Sequence, residues 1–267
     1  MFSRNRLVDK KDIDKLDLAQ RVRLEAQITD ARAAEVDVEG YDNLELASYC
    51  NKSAMRRYLF GYLGDVSGKR VLEICCGYSM TPVMLALAGA EVVANDVAPL
   101  TLEKVRSVAR MHGVEERIEF YCGPAEQLPY PDKSFDIIYG GAAIHHLQID
   151  AAGRELSRVL RAGGRGGFYD PLGHNLILEL ARDNLNYSYK HPEKGTDRPL
   201  KISNIETFGR YFATYSWRGF GLIAVLPRIS SRFRGVKKTL HTIDNAILST
   251  ITPLQRYTRS VVTLVSN

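Results

Sequence analysis

The sequence predicts an α/β fold of the Rossmann-like, doubly wound type, with a mostly parallel sheet and helices on both faces. Short apolar runs alternate with helical patterns from residue 70 to residue 170, which is the order that βαβ units produce. Acids and glycines follow these apolar runs, at the edge where open parallel sheets bind ligands. A last apolar run at 260–265 predicts a terminal strand that is antiparallel to the others.

The elements of the core follow one another in a regular order. Helix periodicity and helix-start signals predict helices between the strands, with Thr81 as N-cap, Pro82 at the first helical position and Gly89 as the stop of the first helix. Met111 is predicted to continue the buried face of the second helix. The predicted strands are 70–74, 91–95, 117–122, 135–139 and a run that ends at 170, and the predicted helices are 82–88, 100–112 and 151–161.

Helical patterns also flank the core on both sides. Two lie before it, at 10–36 and 52–63, and one lies directly after it, at 174–190. A polar loop follows at 191–201. Ser203 and Glu206 have the spacing of a capping box that opens a helix at 204–213. The remainder predicts a strand within 215–227, a helix at 239–250 and the terminal strand.

Composition limits the classes of protein. The 267 residues are 45% hydrophobic and 25% charged, with a net charge of +5, which is ordinary for a globular chain. Residues 228–267 hold seven basic residues and one acid, so the excess positive charge lies in this basic tail. Four cysteines without zinc-site spacing predict a reduced, cytoplasmic protein with no structural metal. We expect neither a signal peptide nor a membrane-spanning segment.

Three residues at the ends of the first two strands indicate the ligand. Asp96 closes the second strand and can accept the hydrogens of a ribose diol, while Gly77 in the first turn permits close backbone approach. Glu73, just before that turn, would repel a phosphate and suits a ligand that carries positive charge. The turn is neither GxGxxG nor a P-loop. This pattern favours S-adenosylmethionine over NAD.

Residues 71–171 resemble a class I S-adenosylmethionine-dependent methyltransferase, of the type 11-like subset that acts on small molecules, sugars or lipids. The resemblance rests on five motifs in the family's order. Two departures stand out, because only one motif-one glycine remains and Pro124 replaces the usual acid of the adenine loop. The motifs are 71–77, the ribose acid Asp96, the adenine loop 123–132 with the strand after it, 144–147 and 158–164.

The resemblance implies S-adenosylmethionine as cofactor and a set of residues that binds it. Cys75 and Ser79 stand where the family has glycines, and Val97 is expected to stack on the adenine. It also implies four segments: an N-terminal helical cap (1–69), the cofactor core (70–170), a lid insertion at the acceptor site (171–214), and C-terminal elements that complete the sheet (215–267). The expected cofactor-binding residues are Glu73, Cys75, Gly77, Ser79, Asp96, Val97, Pro124, Ala125, Glu126 and Gly140.

Four residues near the ends of the fourth and fifth strands are candidates for proton transfer. His145 and His146 follow the fourth strand, and Asp170 and His174 follow the fifth. Methyl transfer is an in-line displacement that depends on positioning, and a hydroxyl acceptor benefits from a base with a pKa near neutral. We therefore expect O-methylation assisted by a histidine, without a metal ion.

Two alternatives remain open. The enzyme could methylate carbon on a prenyl or quinone-like acceptor, which tyrosines near 41–62 would line. Replacement of the glycines and of the adenine-loop acid also allows a non-catalytic, methyltransferase-like binding protein. We expect a small-molecule, glycan or lipid-linked acceptor and no nucleic acid, since no aromatic residues interleave with the cations. The basic tail could contact an anionic surface or acceptor.

Overall fold

A computed structural model describes residues 16–35, 41–175, 199–229 and 235–267. Its strands form one seven-stranded sheet in the order β3-β2-β1-β4-β5-β7-β6. All neighbouring pairs from β3 to β5 are parallel, whereas β7 is antiparallel to both β5 and β6. The strands are β1 (Arg70–Ile74), β2 (Glu91–Asp96), β3 (Ile118–Cys122), β4 (Phe135–Gly141), β5 (Leu160–Pro171), β6 (Thr214–Phe220) and β7 (Ser260–Ser266). The predicted fold class is confirmed.

Helices lie on both faces of this sheet. They are α1 (Leu18–Ala34), α2 (Leu46–Asn51), α3 (Ala54–Leu63), α4 (Thr81–Leu87), α5 (Pro99–Met111), α6 (Ile149–Val159), α7 (Ile202–Gly209), α8 (Leu226–Ile229) and α9 (Lys237–Thr250). Short 3₁₀ turns occur at 115–117, 144–146 and 252–257. The turn at 144–146 carries both candidate histidines past the end of β4.

Alternation of side chains along the strands divides the core into two clusters. In β1, Val71 packs with α2 to α5 on one face, and Leu72 and Ile74 pack with α6 and α7 on the other. Both clusters consist of apolar side chains, and buried acids appear only near the carboxyl ends of the strands, among the described residues of β1 to β5. The sheet is therefore a rigid base that presents its polar strand ends on one edge.

The first helix after β1 begins one residue earlier than the sequence predicts. Met80 is the N-cap and Thr81 is already helical, because Ser79 takes the capping role: its Oγ accepts a hydrogen bond from the Thr81 amide at 3.2 Å. The predicted stop is confirmed, since Gly89 has a φ of +92°, in the left-handed region that glycine adopts without strain.

Two further predictions for helices are wrong. Met111 is 59% exposed, because it is the last residue of α5 and the buried residues of that helix end at Val108 and Ala109. The helix predicted at 204–213 begins at Ile202 instead. Its Lys201 amide donates to Asn204 Oδ1 at 2.8 Å and its Ile202 amide donates to His174 Nε2 at 3.1 Å, so the first turn is satisfied without Ser203.

Parts of the chain carry predictions that lie outside the described residues. These parts are 10–15, most of the helix predicted at 174–190 and most of the loop predicted at 191–201. Of the predicted lid insertion, the described helix α7 buries Ile205 and Phe208 in the core. The four domain boundaries stay predictions. Within the described ranges, no helix combines the length and the apolar character needed to cross a bilayer.

Candidate active site

The ends of β1, β2, β4 and β5 bring most of the predicted site residues to one edge of the sheet. Cys75, just past β1, shows this best. The carboxylates whose negative charge affects the pKa of its thiol come from four separate parts of the chain. Burial raises the pKa of the Cys75 thiol well above its usual value, and the negative charges of Asp96, Glu126, Glu25 and Asp170 raise it further. The edge therefore concentrates negative charge around the first turn.

Asp96 is held at the end of β2 by backbone amides. Its carboxylate is 5% exposed, and it accepts hydrogen bonds from the Gly77 amide at 2.8 Å and the Ala98 amide at 2.9 Å. Burial raises the pKa of Asp96, and these amides and the charge of His146 oppose that rise. Each carboxylate oxygen retains a second lone pair, so Asp96 can accept from a ribose diol as well.

Asn95, which the sequence reasoning missed, orders the adenine loop. Its Nδ2 donates to the Gly123 carbonyl at 2.7 Å and to the Tyr121 carbonyl at 3.3 Å. A fully buried amide side chain at the end of a strand is costly unless it is bonded in this way. The signal available in the sequence was a polar Asn directly before the ribose acid.

The remaining loop residues predicted to bind cofactor lie beside Asp96. Ala125 is buried, and Glu126 Oε1 accepts from the Gln148 amide at 2.9 Å, which ties this loop to the start of α6. The Pro124 carbonyl accepts from Gln127. The Val97 carbonyl lies 3.7 Å from the Cys122 thiol, so the Val97 backbone contacts the end of β3.

The first turn has an unusual backbone for its composition. Cys75 has a φ of +47° and Gly77 a φ of +54°, and only the second is a residue that adopts this region without strain. A Cβ added to Gly77 would meet no atom within 4 Å, so the glycine is required by its conformation and leaves room beside the turn. Ser79 Oγ and Thr81 Oγ1 are 2.6 Å apart, which fixes the end of the turn.

Glu73 and Gly140 lie next to this turn on adjacent strands. Glu73 is 2% exposed and its Oε2 has no hydrogen-bond partner among the described residues. Burial raises the pKa of Glu73 well above its usual range. A Cβ on Gly140 would lie 2.9–3.0 Å from Phe168, Ala143 and Ile74, so packing accounts for this glycine whether or not it contacts a ligand.

His145 and Asp170 form a buried pair across the ends of β4 and β5. His145 Nδ1 is 2.8 Å from Asp170 Oδ1, and the side chains are 4% and 1% exposed. The same oxygen accepts from the His145 backbone amide at 3.3 Å. A carboxylate can only accept, so Nδ1 carries the hydrogen and, in the neutral ring, Nε2 is the basic nitrogen.

His146 contacts the N-terminal helix instead. Its Nδ1 is 3.5 Å from Glu25 Oε2, and its carbonyl accepts from Arg21 of the same helix at 2.6 Å. The His146 ring lies 4.0 Å from the ring of His145, measured between centroids. Further along, Asp30 accepts from the Leu100 amide at 3.0 Å. Helix α1 therefore runs across the edge from the histidines to the start of α5.

His174, the fourth candidate for proton transfer, has a structural contact. Its Nε2 accepts the hydrogen bond from Ile202 that begins α7, and this bond uses the lone pair that a general base would need. His145, His146 and Asp170 are brought together, whereas His174 is bonded to a different element. The roles of all four residues stay predictions.

The residues at this edge fit S-adenosylmethionine. Its sulfonium and ammonium groups are positive, and the edge holds several buried acids. Glu73 Oε2 in particular has no hydrogen-bond partner in the part of the chain that the structure describes. Asp96 has lone pairs left over that could accept from a ribose. In the described ranges, no three His, Cys, Asp or Glu side chains converge as a metal site requires.

A cavity of about 540 Å³ lies elsewhere, at the edge where β5 and β6 begin and β7 ends. Tyr62, Arg165 and Asn267 are among its lining residues. The Arg165 guanidinium donates to the Tyr62 carbonyl at 2.8 Å. Because this edge is opposite to the acids and histidines, the cavity takes no part in the site described above.

Three features define a class of protein. They are the order of the strands in the sheet, the acid at the end of β2, and a first turn that is not a phosphate-binding glycine loop. The class is a Rossmann-like domain for a nucleoside cofactor with positive charge.

Comparison with known proteins identifies the domain. Residues 72–167 match the family model described as a methyltransferase domain. Methyltransferase GfsG of Streptomyces halstedii is 38% identical over 129 residues, 48% of this chain and 46% of that protein. Sterol 24-C-methyltransferase of Aspergillus fumigatus is 27% identical over 168 residues, 62% and 43% of the two chains. 27-O-demethylrifamycin SV methyltransferase of Amycolatopsis mediterranei is 33% identical over 109 residues, 40% of each. This chain thus spans less than half of each relative's length.

Solved structures agree on the fold. An S-adenosylmethionine-dependent methyltransferase from Mesorhizobium loti superimposes with a TM-score of 0.56 at 15% identity, over 82% of this chain and 100% of that one. Geranyl diphosphate C-methyltransferase from Streptomyces coelicolor, in complex with S-adenosyl-L-homocysteine, gives 0.58 at 12% identity, over 92% and 96%. Residues 72–167 therefore match a methyltransferase domain, and the chain shares its fold with class I S-adenosylmethionine-dependent methyltransferases.

Proposed function

We propose that this chain methylates a hydroxyl oxygen of a small-molecule acceptor, with His145 as the proton acceptor. The observation that carries the proposal is the 2.8 Å contact between His145 Nδ1 and Asp170 Oδ1. This contact fixes the ring orientation and makes Nε2 the basic nitrogen. A histidine held by a buried carboxylate at the edge that binds the methyl donor is the arrangement that deprotonation of a hydroxyl requires.

The cofactor, when bound, supplies an electrophilic methyl group on a sulfonium. His145 Nε2 accepts the proton of the acceptor hydroxyl as its oxygen attacks. Asp170 then stabilises the imidazolium, because its negative charge lies 2.8 Å from Nδ1. Burial of both side chains strengthens that attraction, since little water screens it.

The N-terminal segment is proposed to act as the cap over this reaction. Arg21 and Glu25 both contact His146, and Asp30 contacts the start of α5. These contacts support a cap at 1–69 that closes the site through α1 and excludes water from the transfer. His146 is then a positioning residue that joins the cap to His145 by ring contact.

The acids around the first turn also bear on the acceptor. A phosphate or carboxylate close to the methyl donor would be repelled by Asp96, Glu126 and Asp170, so we propose a neutral hydroxyl at the reacting end of the acceptor. The name of the Amycolatopsis relative indicates an oxygen acceptor, which agrees with this choice. Contact between the basic tail and an anionic surface remains a separate proposal.

Separate alanine variants of the two histidines test the base. We expect His145→Ala to lower kcat by about 10²- to 10⁴-fold, with unchanged affinity for S-adenosylhomocysteine by calorimetry. His146→Ala should lose less than His145→Ala. Turnover is measured with a labelled methyl donor against a panel of hydroxylated small molecules. Normal turnover in His145→Ala would contradict the assignment.

A second candidate is methylation of carbon. The relative from Aspergillus carries that activity in its name, and a carbon nucleophile needs no base before attack. If a prenyl or sterol-like compound is the acceptor in the panel, and His145→Ala retains turnover, this candidate is favoured over O-methylation.

A further inference from the structure

The second half of the adenine loop is attached to helix α6 by an arginine. Arg158, near the end of that helix, donates to the Leu128 carbonyl at 3.2 Å and to the Tyr130 carbonyl at 2.8 Å. Its guanidinium also donates to the Asp132 carboxylate at 2.8 Å. Several hydrogen bonds from one planar group fix the plane and the distance of the partners. One side chain therefore holds the loop from 128 to 132.

Glu155 completes this attachment one turn earlier in α6. Its two oxygens accept from Arg158 Nε at 2.9 Å and from Arg158 Nη2 at 2.8 Å, which is the bidentate geometry that a guanidinium and a carboxylate favour. Glu155 Oε1 also accepts from the Leu128 amide at 2.7 Å. Burial acts to raise the pKa of Glu155, but the bonds from Arg158 and from this amide lower it overall. The pair is therefore charged, and both of its members bond to the loop.

The first half of the loop is attached elsewhere. Asn95 of β2 donates to the Gly123 carbonyl, and Glu126 accepts from the amide of Gln148, the residue that precedes α6. The loop is thus fixed at its start by β2, in its middle by the beginning of α6 and toward its end by the Arg158 and Glu155 pair. Only the last attachment depends on an ion pair.

The composition of the loop gives its backbone the task of recognising a base. Pro124 stands where the resembled family has an acid, and proline has no N–H to donate. Ala125, the next residue, has no polar atom in its side chain. In the ranges that the structure describes, the Ala125 amide donates to no backbone carbonyl. Recognition by backbone groups depends on their exact positions, and hence on the side chains that hold the loop.

We propose that Arg158 is a positioning residue for the adenine loop, which it holds in the conformation that distinguishes adenine from other purines. The proposal rests on the proposed methyltransferase function and adds a determinant of cofactor specificity to it. Arg158 acts through the backbone of the loop and takes no part in proton transfer.

Two ligands that differ only in the base test this role. S-adenosylhomocysteine carries adenine, with an acceptor at N1 and an amino group at C6. S-inosylhomocysteine carries hypoxanthine, with a hydrogen on N1 and an oxygen at C6. We expect wild type to prefer the first ligand, and Arg158→Met to lose about 10-fold in affinity for it. The affinity of this variant for S-inosylhomocysteine should fall less, so its preference is reduced. Calorimetry measures both affinities.

Variants on the same helix provide the controls. Arg154 lies one turn before Arg158, and its guanidinium is over the Tyr211 ring at 5.9 Å, so Arg154→Met should leave both affinities unchanged. Arg158→Lys keeps the charge without the planar fork and should retain part of the preference. Glu155→Gln weakens the ion pair, and adding it to Arg158→Met should cost little more, because the two residues act as a unit.

A role limited to stability gives a different result. Loss of stability lowers the Tm and the folded fraction, but it leaves the ratio of the two affinities unchanged. For Arg158→Met we expect this ratio to fall, the KM for the methyl donor to rise and kcat at saturating donor to stay close to that of wild type. If Arg158→Met does not fold, Arg158→Lys and Glu155→Gln carry the same test, with smaller shifts in the same direction.

Three results would overturn the proposal. One is an unchanged affinity of Arg158→Met for S-adenosylhomocysteine, and the second is an equal loss for both ligands. The third is a wild type that binds the two ligands equally. All three leave methyl transfer intact when labelled product still forms, whereas normal turnover in His145→Ala contradicts the proposed base alone. A wild type that forms no product and binds neither ligand removes both proposals.

Discussion

The two halves of the active-site edge are built in different ways. The half formed by β1, β2 and the adenine loop is held by backbone groups: Asp96 accepts from two amides, and Asn95 donates to two carbonyls. The half at the ends of β4 and β5 is held by side-chain pairs between distant segments. His145 contacts Asp170 and His146 contacts Glu25. The proposed cofactor half is thus preset by the strands, whereas the proposed transfer half depends on how separate elements dock.

The largest effect is expected in the backbone-held half. Asp96→Ala removes the proposed acceptor for the ribose and also removes the hydrogen-bond acceptor of the Gly77 and Ala98 amides. We therefore expect the affinity for S-adenosylhomocysteine to fall more than about 100-fold. Calorimetry measures this loss. The control is Asp136→Asn, since Asp136 accepts from the Arg70 amide at the opposite edge. Unchanged affinity in Asp96→Ala would remove the ribose assignment.

The next effect concerns the side-chain-held half. Asp170→Asn removes the carboxylate that orients His145, and we expect kcat to fall about 10- to 100-fold with little change in cofactor affinity. Because the two residues act as a unit, adding Asp170→Asn to His145→Ala should cost almost nothing more. Additive losses in this double-mutant cycle would show that the residues act independently.

A smaller effect is expected from the contact between the cap and the edge. Glu25→Gln removes the negative charge beside His146, and we expect kcat/KM to fall about 2- to 5-fold, as the loss of one partly exposed charge pair implies. Glu35→Gln, at the exposed end of the same helix, is the matched control. Equal activity of the two variants would indicate that α1 needs no charge at this contact.

The smallest effect concerns Glu73, which lies between the two halves. Its raised pKa means that the folded state holds the proton to higher pH than the unfolded state. Its contribution to stability is therefore complete below about pH 4.3, the unfolded value, and is lost as pH rises through the folded pKa.

Glu73→Gln tests that sign. The variant has a neutral side chain at every pH. Its Tm should therefore exceed that of wild type by several degrees at pH 8 and by less at pH 5. A difference of 1 kcal/mol in the free energy of unfolding corresponds to about 2–4 °C for a chain of this size. Differential scanning calorimetry of the ligand-free protein measures this. A Tm difference that is equal at both pH values would contradict the raised pKa.

Features that depend on neighbours along the chain were predicted correctly, and features that depend on distant segments were not. β1 and β2 and their acids were predicted to within a residue, because strand periodicity and strand ends are local features. The start of α7 was predicted at the wrong residue, because its first turn is hydrogen-bonded to His174, 28 positions away. The exposure of Met111 was also missed, since spacing alone does not show where a buried stripe ends.

Candidate residues from the N-terminal segment were missed for a related reason. Glu25 and Arg56 stand in ordinary charged helices, where a single sequence gives no sign of their contacts. Glu25 meets His146 across 121 positions of chain, and Arg56 lies over the ring of Tyr49 in the neighbouring helix. Charged residues on a helix usually face solvent, so only their partners distinguish these two.

The sequence by itself determined the fold class and predicted the cofactor and the acid proposed to face its ribose, because apolar periodicity and strand-end residues depend on neighbours along the chain. The tertiary structure alone decided which histidine meets a buried carboxylate and which one meets the N-terminal helix. These contacts join segments that are far apart in sequence, and their energies depend on burial and distance, which spacing along a chain does not contain.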